Sequence, residues 1–242
     1  MHEGKDVFLS EDKKFKLVND PAAWGAQNPK ILVVGITKGN TQSNAMAHSD
    51  FDEIAYKGFR PRLTAVLHSV GLARDVNNIS DLIRKEESTY AWGSVVRCSL
   101  TGFDRKKVKQ YPDDPYSSES GVVLPAFSHK EMSVVISNCF SKYLGSLPSR
   151  VELVVMLGNA NKYLEKMRQL VSQFSPHDFR YDPVDEGISY EGAGRLWVHV
   201  GHPSPGNGWY TEFLNGDPGS GQGRKRELAK RAIERSRISR SL

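Results

Sequence analysis

Residues 197–209 read Trp-Val-His-Val-Gly-His-Pro-Ser-Pro-Gly-Asn-Gly-Trp. An apolar run with the β-branched residues Val198 and Val200 stops at Gly201, and His202 and two prolines follow at once. The pattern predicts a buried strand that delivers a histidine onto a stiff loop. His202-Pro203-Ser204-Pro205 has little freedom in φ, so holding a ligand there in one geometry costs little entropy. Taken alone, the segment reads equally well as a Pro/Gly-rich turn with an incidental histidine, and the rest of the chain has to arbitrate.

Working outward, three further apolar runs have the length and composition of strands covered on both faces: 30–35, 93–98 and 153–158, joined by 196–200 in front of the histidine. Between them lie helical patterns. Leu63, Val66, Leu67 and Val70 fall at helical spacing before Gly71. Ser128 and Glu131 form a capping-box pattern for a helix with Met132, Val135, Ile136, Cys139, Phe140 and Tyr143 on its apolar face, and Asn159 is read as the cap of a helix bearing Tyr163, Leu164 and Met167. Residues 99–121 read as a long polar connection and residues 172–194 as irregular. Strands alternating with helices predict a three-layer α/β/α fold around a central, mainly parallel four-stranded sheet, whose ligand site lies at the carboxyl ends of the strands. The segments 35–40, 94–101 and 201–207 each follow a strand and are expected to converge there.

The chain has 242 residues, 38% of them hydrophobic, which suits a single domain over 1–242 with its core at about 30–214. It has no apolar run of membrane-spanning length, and the start, MHEGKDVFLSEDKK, lacks a signal-peptide hydrophobic region, so a cytoplasmic monomer without a membrane partner is expected. The two cysteines, Cys98 and Cys139, are expected as buried, reduced core residues; they are too few for an iron–sulfur or Cys-rich zinc site, and no metal or cofactor is expected. The net charge of +5 is a property of the tail: residues 224–240 carry eight Lys/Arg against Glu227 and Glu234, leaving about −1 for residues 1–223. A Gly-rich linker over 216–223 and a basic helix over 224–240 are expected, with Arg224, Lys225 and Arg226 available for phosphate.

These segments together resemble the uracil-DNA glycosylase superfamily. Its members carry a strand and a turn such as GQDPYH, GINPG or GEAPG, and late in the chain a strand followed by HPS; the counterparts here are GITKG at Gly35–Gly39 and HPSPGN at His202–Asn207. The latter is similar to the HPSPRN of the single-strand-selective monofunctional branch. GFRPRLTAVLHSVGL, GSVVRC (beside NVVKC), and ISNCFSKYL followed by VVMLGNA resemble the thermostable bacterial and archaeal branch. The resemblance covers roughly residues 30–214, with five segments in order. It implies DNA, single- or double-stranded and possibly damaged, as partner, and hydrolysis of the bond between sugar and a flipped uracil or other deaminated or damaged base. His202 then donates to the charge growing on the departing base. Pro203, Ser204, Pro205, Gly206 and Asn207 press on the strand's backbone. Gly35, Ile36 and Ser94 border the base, and an aromatic from Phe51, Tyr56 or Phe59 stacks on it, with Phe59 the first choice.

The chain departs from the family at three places. Thr37 stands where relatives carry Asp, Asn or Glu and Lys38 where they carry proline; Ser94 replaces the base-reading asparagine; Gly206 replaces an arginine that fills the vacated stack. A threonine hydroxyl can position a water but cannot take its proton at neutral pH. Asn44 and Asp50 are the candidates to substitute for the missing acid, so the expected catalytic set is His202, Thr37 and Asn44. Two other readings stay open: a catalytically inactive nucleic-acid or nucleotide-binding protein of the same fold, and a hydrolase of free nucleosides or nucleotides.

Overall fold

A computed structural model describes residues 6–84 and 86–236. In chain order the strands are β1 (Val7–Leu9), β2 (Phe15–Val18), β3 (Trp24–Gly25), β4 (Ile31–Thr37), β5 (Tyr90–Val96), β6 (Ser99–Phe103), β7 (Tyr116–Ser117), β8 (Leu153–Leu157), β9 (Ser189–Gly192) and β10 (Arg195–Val200). The helices are α1 (Asn40–Ala45), α2 (Phe51–Ile54), α3 (Arg60–Ser69), α4 (Ser120–Val123), α5 (Lys130–Tyr143), α6 (Asn161–Phe174), α7 (Tyr210–Asn215) and α8 (Gly221–Arg235). The protein is therefore a mixed α/β chain. It divides into two compact units, one of residues 6–24, 35–55 and 93–147 and one of residues 25–34, 56–92 and 148–236.

The first unit contains a four-stranded sheet in the order β1-β2-β6-β7 whose neighbours all pair antiparallel. This sheet corrects the reading of 99–121 as one long connection. Its strands are short, β7 being two residues, and their polar residues (Lys16, Thr101) are buried by cross-strand packing that no local hydrophobic pattern announces. Phe15, Val18 and Leu100 from the sheet and Met132, Ile136 and Phe140 from α5 are buried here. The cap of α5 is His129 rather than Ser128: Ser128 ends a 3-10 turn over Leu124–Ser128, and the His129 ring nitrogen Nδ1 accepts from the Met132 amide at 3.5 Å. Cys98 and Cys139 are half-buried and free, against the expectation of full burial. The Cys139 sulfur accepts from the Arg97 amide at 3.3 Å.

Most of the six-stranded sheet, ordered β3-β5-β4-β8-β10-β9, belongs to the second unit; Trp24 of β3, residues 35–37 of β4 and residues 93–96 of β5 count with the first. The four strands expected from the sequence occupy the four adjacent central places, with β4, β8 and β10 parallel in register Val33↔Val155 and Val154↔Trp197. The expected count of four is corrected to six, and the sheet is mixed because β9 pairs antiparallel with β10. The β9–β10 hairpin, inside the stretch read as irregular, turns on Ala193 and Gly194 at φ 53° and 69°. An alanine in that region is a poor turn signal, and the fold compensates with Asp178, whose carboxylate accepts from both turn amides.

Helix ends differ in the same local way. The residue capping α6 is Ala160, and Asn159 instead donates its amide to Gln222 at 2.7 Å. The Gly-rich linker is shorter than expected because α8 begins at Gly221. A Cβ on Gly223 would stand 2.3 Å from the Asp217 carbonyl oxygen, so this glycine is there for close packing. Leu228, Ala229, Ala232 and Ile233 bury one face of α8. Residues 237–242, including Arg237 and Arg240 of the basic stretch, lie outside the described residues.

Candidate functional site

His202 stands two residues beyond β10, on the loop expected from the sequence. Gly201 makes this exit possible: a Cβ there would meet the ring of the fully buried Phe213 at 2.7 Å. The Ser204 amide donates to His202 Nδ1 at 3.1 Å. A backbone N–H can only donate, so Nδ1 is the unprotonated nitrogen and Nε2 carries the hydrogen of the neutral ring. Burial disfavours the charged ring and lowers its pKa to about 4, so the neutral Nε2–H form is the one present at physiological pH.

The loop is tied down at several points. Asn207 donates its amide to the His202 carbonyl at 2.7 Å and accepts from the Trp209 amide at 3.1 Å, and the Gly206 amide donates to the Ser204 hydroxyl at 3.3 Å. Arg62, in the first turn of α3, donates from Nε to the Pro203 carbonyl at 2.7 Å and from Nη2 to the Ser204 carbonyl at 3.2 Å. Its guanidinium carbon lies 3.5 Å from the centre of the Tyr210 ring, and the Tyr210 hydroxyl returns a bond to the Arg62 carbonyl at 3.3 Å. Pro203 is buried, while Pro205, Gly206 and Trp209 are exposed, Trp209 at 63%. Sequence reasoning missed Arg62; the two tandem Arg-Pro-Arg cations before a helical pattern were its only signal.

In the same unit, the half-buried Phe59 precedes α3 and packs edge-on against Tyr56 at 5.8 Å, and Tyr56 in turn against Trp92 at 5.7 Å. Tyr56 has φ 55°, a left-handed backbone that a bulky residue adopts only when its surroundings hold it. The second histidine of the opening stretch, His199, has a different task. It is fully buried, donates from Nδ1 to the Gly158 carbonyl at 2.8 Å and accepts at Nε2 from the Tyr190 hydroxyl at 3.0 Å, and burial lowers its pKa to about 4.

The expected phosphate ligands of α8 have partners within the chain. Arg224 pairs with Glu186 at 2.5 Å, Lys225 donates to the Asn159 carbonyl and to Asn161 Oδ1, and Arg226 donates to the carbonyls of Phe213, Leu214 and Gly216 at the end of α7. Arg226 thus supplies donors for the carbonyls that α7 leaves unsatisfied. Arg231 and Lys230 pair with Glu227 and Glu234 on the helix itself, and Arg235 reaches Asp185 at 3.1 Å.

The first unit holds the other sequence candidates. Gly35 and Ile36 are half-buried at the end of β4; Gly35 has an ordinary strand φ, and a Cβ built on it would find nothing within 4 Å. Neither backbone strain nor crowding asks for glycine there. The turn begins at Lys38 rather than at Gly35, because β4 runs through Thr37. Thr37 donates to the Cys98 carbonyl at 3.0 Å and accepts from the Leu100 amide at 2.8 Å. Its hydroxyl therefore joins β4 to the turn before β6 and to β6 itself. Asn44 is exposed on α1, and Ser94 is buried within β5.

Behind that turn lies a buried polar network that sequence reasoning did not foresee. Lys38 is 1% exposed and pairs with Asp20 Oδ1 at 2.8 Å; it also donates to the Asp20 carbonyl and contacts Met46 Sδ. Asp20, 6% exposed, accepts further from the Ser43 hydroxyl and from the Ser99 amide at 3.2 Å. Lys38 is thus the cation of a buried pair that anchors the turn.

Among the described residues no three His, Cys, Asp or Glu side chains group as metal ligands, and no helix is long and apolar enough to cross a membrane. The second unit also has an open cleft of about 1270 Å³ at the amino ends of β8 and β10, lined by Glu152, Asp178, Arg180, Asp185 and Arg195 among others. It lies at the opposite end of these strands from His202. No family model matches this chain, and no curated protein is significantly similar to it.

Proposed function

We propose that this chain is a nucleic-acid-binding protein of the uracil-DNA glycosylase type, with an α/β/α arrangement, that releases a deaminated or damaged base from DNA through the His202 loop. The observation that carries the reading is the Ser204 amide donating to His202 Nδ1 at 3.1 Å, which leaves Nε2 as the nitrogen that donates, on a ring that burial keeps neutral. A neutral donor fixed on a rigid loop suits an oxyanion that forms only as the reaction proceeds, because nothing has to reorganise when the charge arrives. In that reaction the bond from sugar C1′ to the base nitrogen breaks with its electron pair going to the base. A water oxygen bonds to C1′, and the water's proton passes to solvent. The base leaves as an anion held by Nε2–H, with Phe59 offering a stacking face.

A second reading, binding without chemistry, is favoured by one observation: all three hydrogen bonds of the Thr37 hydroxyl are made to backbone. The two separate in one experiment. Purified protein is incubated with single-stranded oligonucleotides bearing uracil, hypoxanthine or xanthine, and alkali-labile abasic sites are counted. Excision that His202→Ala abolishes supports the first reading; salt-dependent binding with no abasic sites supports the second.

A further inference from the structure

Arg62 is bound on one edge and on one face only. Nε and Nη2 donate to the carbonyls of Pro203 and Ser204, and the Tyr210 ring covers the guanidinium at 3.5 Å. No carboxylate among the described residues pairs with it, and Nη1 makes no hydrogen bond there. The side chain is half-buried, so the charge is partly removed from water without a counter-charge. The cations of α8, by contrast, have carboxylates or carbonyls of the chain as partners. A guanidinium already oriented by two carbonyls and a ring loses little freedom when it takes an anion, and its planar fork matches phosphate oxygens.

We infer that Arg62 is a phosphate-binding residue, which takes through Nη1 the backbone phosphate of the strand lying against the His202 loop. This rests on the reading of the chain as a nucleic-acid-binding protein and names the contact that positions the strand. It moves the electrostatic footprint from the basic tail to a single cation beside the loop. Arg62 then acts twice: its carbonyl contacts hold Pro203 and Ser204 in place, and its remaining edge fixes the register of the ligand.

The test is a neutral-linkage scan. Fluorescein-labelled single-stranded oligonucleotides, each with one methylphosphonate at successive positions, are titrated with the wild-type protein, with Arg62→Gln and with Arg62→Lys. For the wild type, one linkage is expected to cost about ten-fold in affinity, as a charge-assisted bond does. R62Q is expected to lose a similar factor on the unmodified strand, to lower the salt slope by about 0.7, and to become indifferent to that linkage. R62K keeps the charge and is expected to keep the slope. A purely structural Arg62 would weaken all oligonucleotides equally and leave the penalty at each linkage unchanged, which overturns the inference. If R62Q does not fold, the wild-type and R62K scans decide: a single sensitive linkage supports the contact, and a flat profile refutes it. If no strand binds but deoxyuridine monophosphate does in an Arg62-dependent way, the assignment to a strand is overturned. If nothing binds, the parent reading falls with it.

Discussion

Replacing Asp20 by alanine tests the buried network behind the β4 turn. The substitution removes the carboxylate that pairs with the Lys38 ammonium and accepts from the Ser43 hydroxyl and the Ser99 amide, all within the first unit, while the Asp20 carbonyl stays. Lys38 is 1% exposed and Ser43 is fully buried, so water cannot replace the lost acceptor without opening the turn. Breaking a buried pair from one side costs about 3–5 kcal/mol, chiefly because the remaining charge loses its counter-charge. For a chain of this length each kcal/mol lowers the melting temperature by roughly 2–4 °C, so D20A should melt on the order of 10 °C lower. Lys38→Met should cost less, since the carboxylate keeps Ser43 and the Ser99 amide. The double variant D20A/K38M should be more stable than the sum of its parts by about 2 kcal/mol, because neither charge is then left alone. Urea unfolding of the four proteins, followed by fluorescence and circular dichroism, measures this. A D20A loss below about 1 kcal/mol, or strictly additive singles, would refute the account of Lys38 as the cation of a buried pair.

Acidification should destabilise the fold between about pH 6.5 and pH 4. His199 is buried neutral, so the unfolded chain binds the extra proton first and stability falls with pH; the folded pKa of about 4 puts the effect on the order of 3 kcal/mol, which His199→Gln should reduce. Gly201→Ala forces a methyl against the Phe213 ring and should cost about 1–3 kcal/mol in thermal melts, whereas no change would mean that the loop exit is looser than described. Trp209→Ala should weaken binding of single strands by about ten-fold without affecting stability, because the ring is exposed and free to stack on a base.

The central strands, the helix after Arg60 and the histidine loop were legible because they rest on local signals: β-branched apolar runs, helical spacing, and prolines that restrict φ. The features that escaped are decided by distant residues. Nothing near Thr37 tells that its hydroxyl meets Cys98 and Leu100, and nothing near Lys38 points to Asp20. β9 escaped because its turn uses an alanine at positive φ that Asp178 stabilises from elsewhere in the chain. β6 and β7 escaped because Ser99, Thr101 and Ser117, most of their buried side chains, are polar. For the basic tail the charge was visible, but the carboxylates and carbonyls that meet Arg224, Lys225, Arg226, Arg231 and Arg235 were not. Within the candidate site, His202 could be named from the sequence, while its tautomer and the role of Arg62 required coordinates.

The most direct measurement counts abasic sites released from single-stranded oligonucleotides carrying uracil, hypoxanthine or xanthine by the wild type and by His202→Ala at neutral pH. The account predicts release of at least one base by the wild type, flat in rate across neutral pH because the ring titrates near 4, and a loss of about a hundred-fold or more in H202A. Release that H202A leaves intact, or no release from any of these strands, would contradict it.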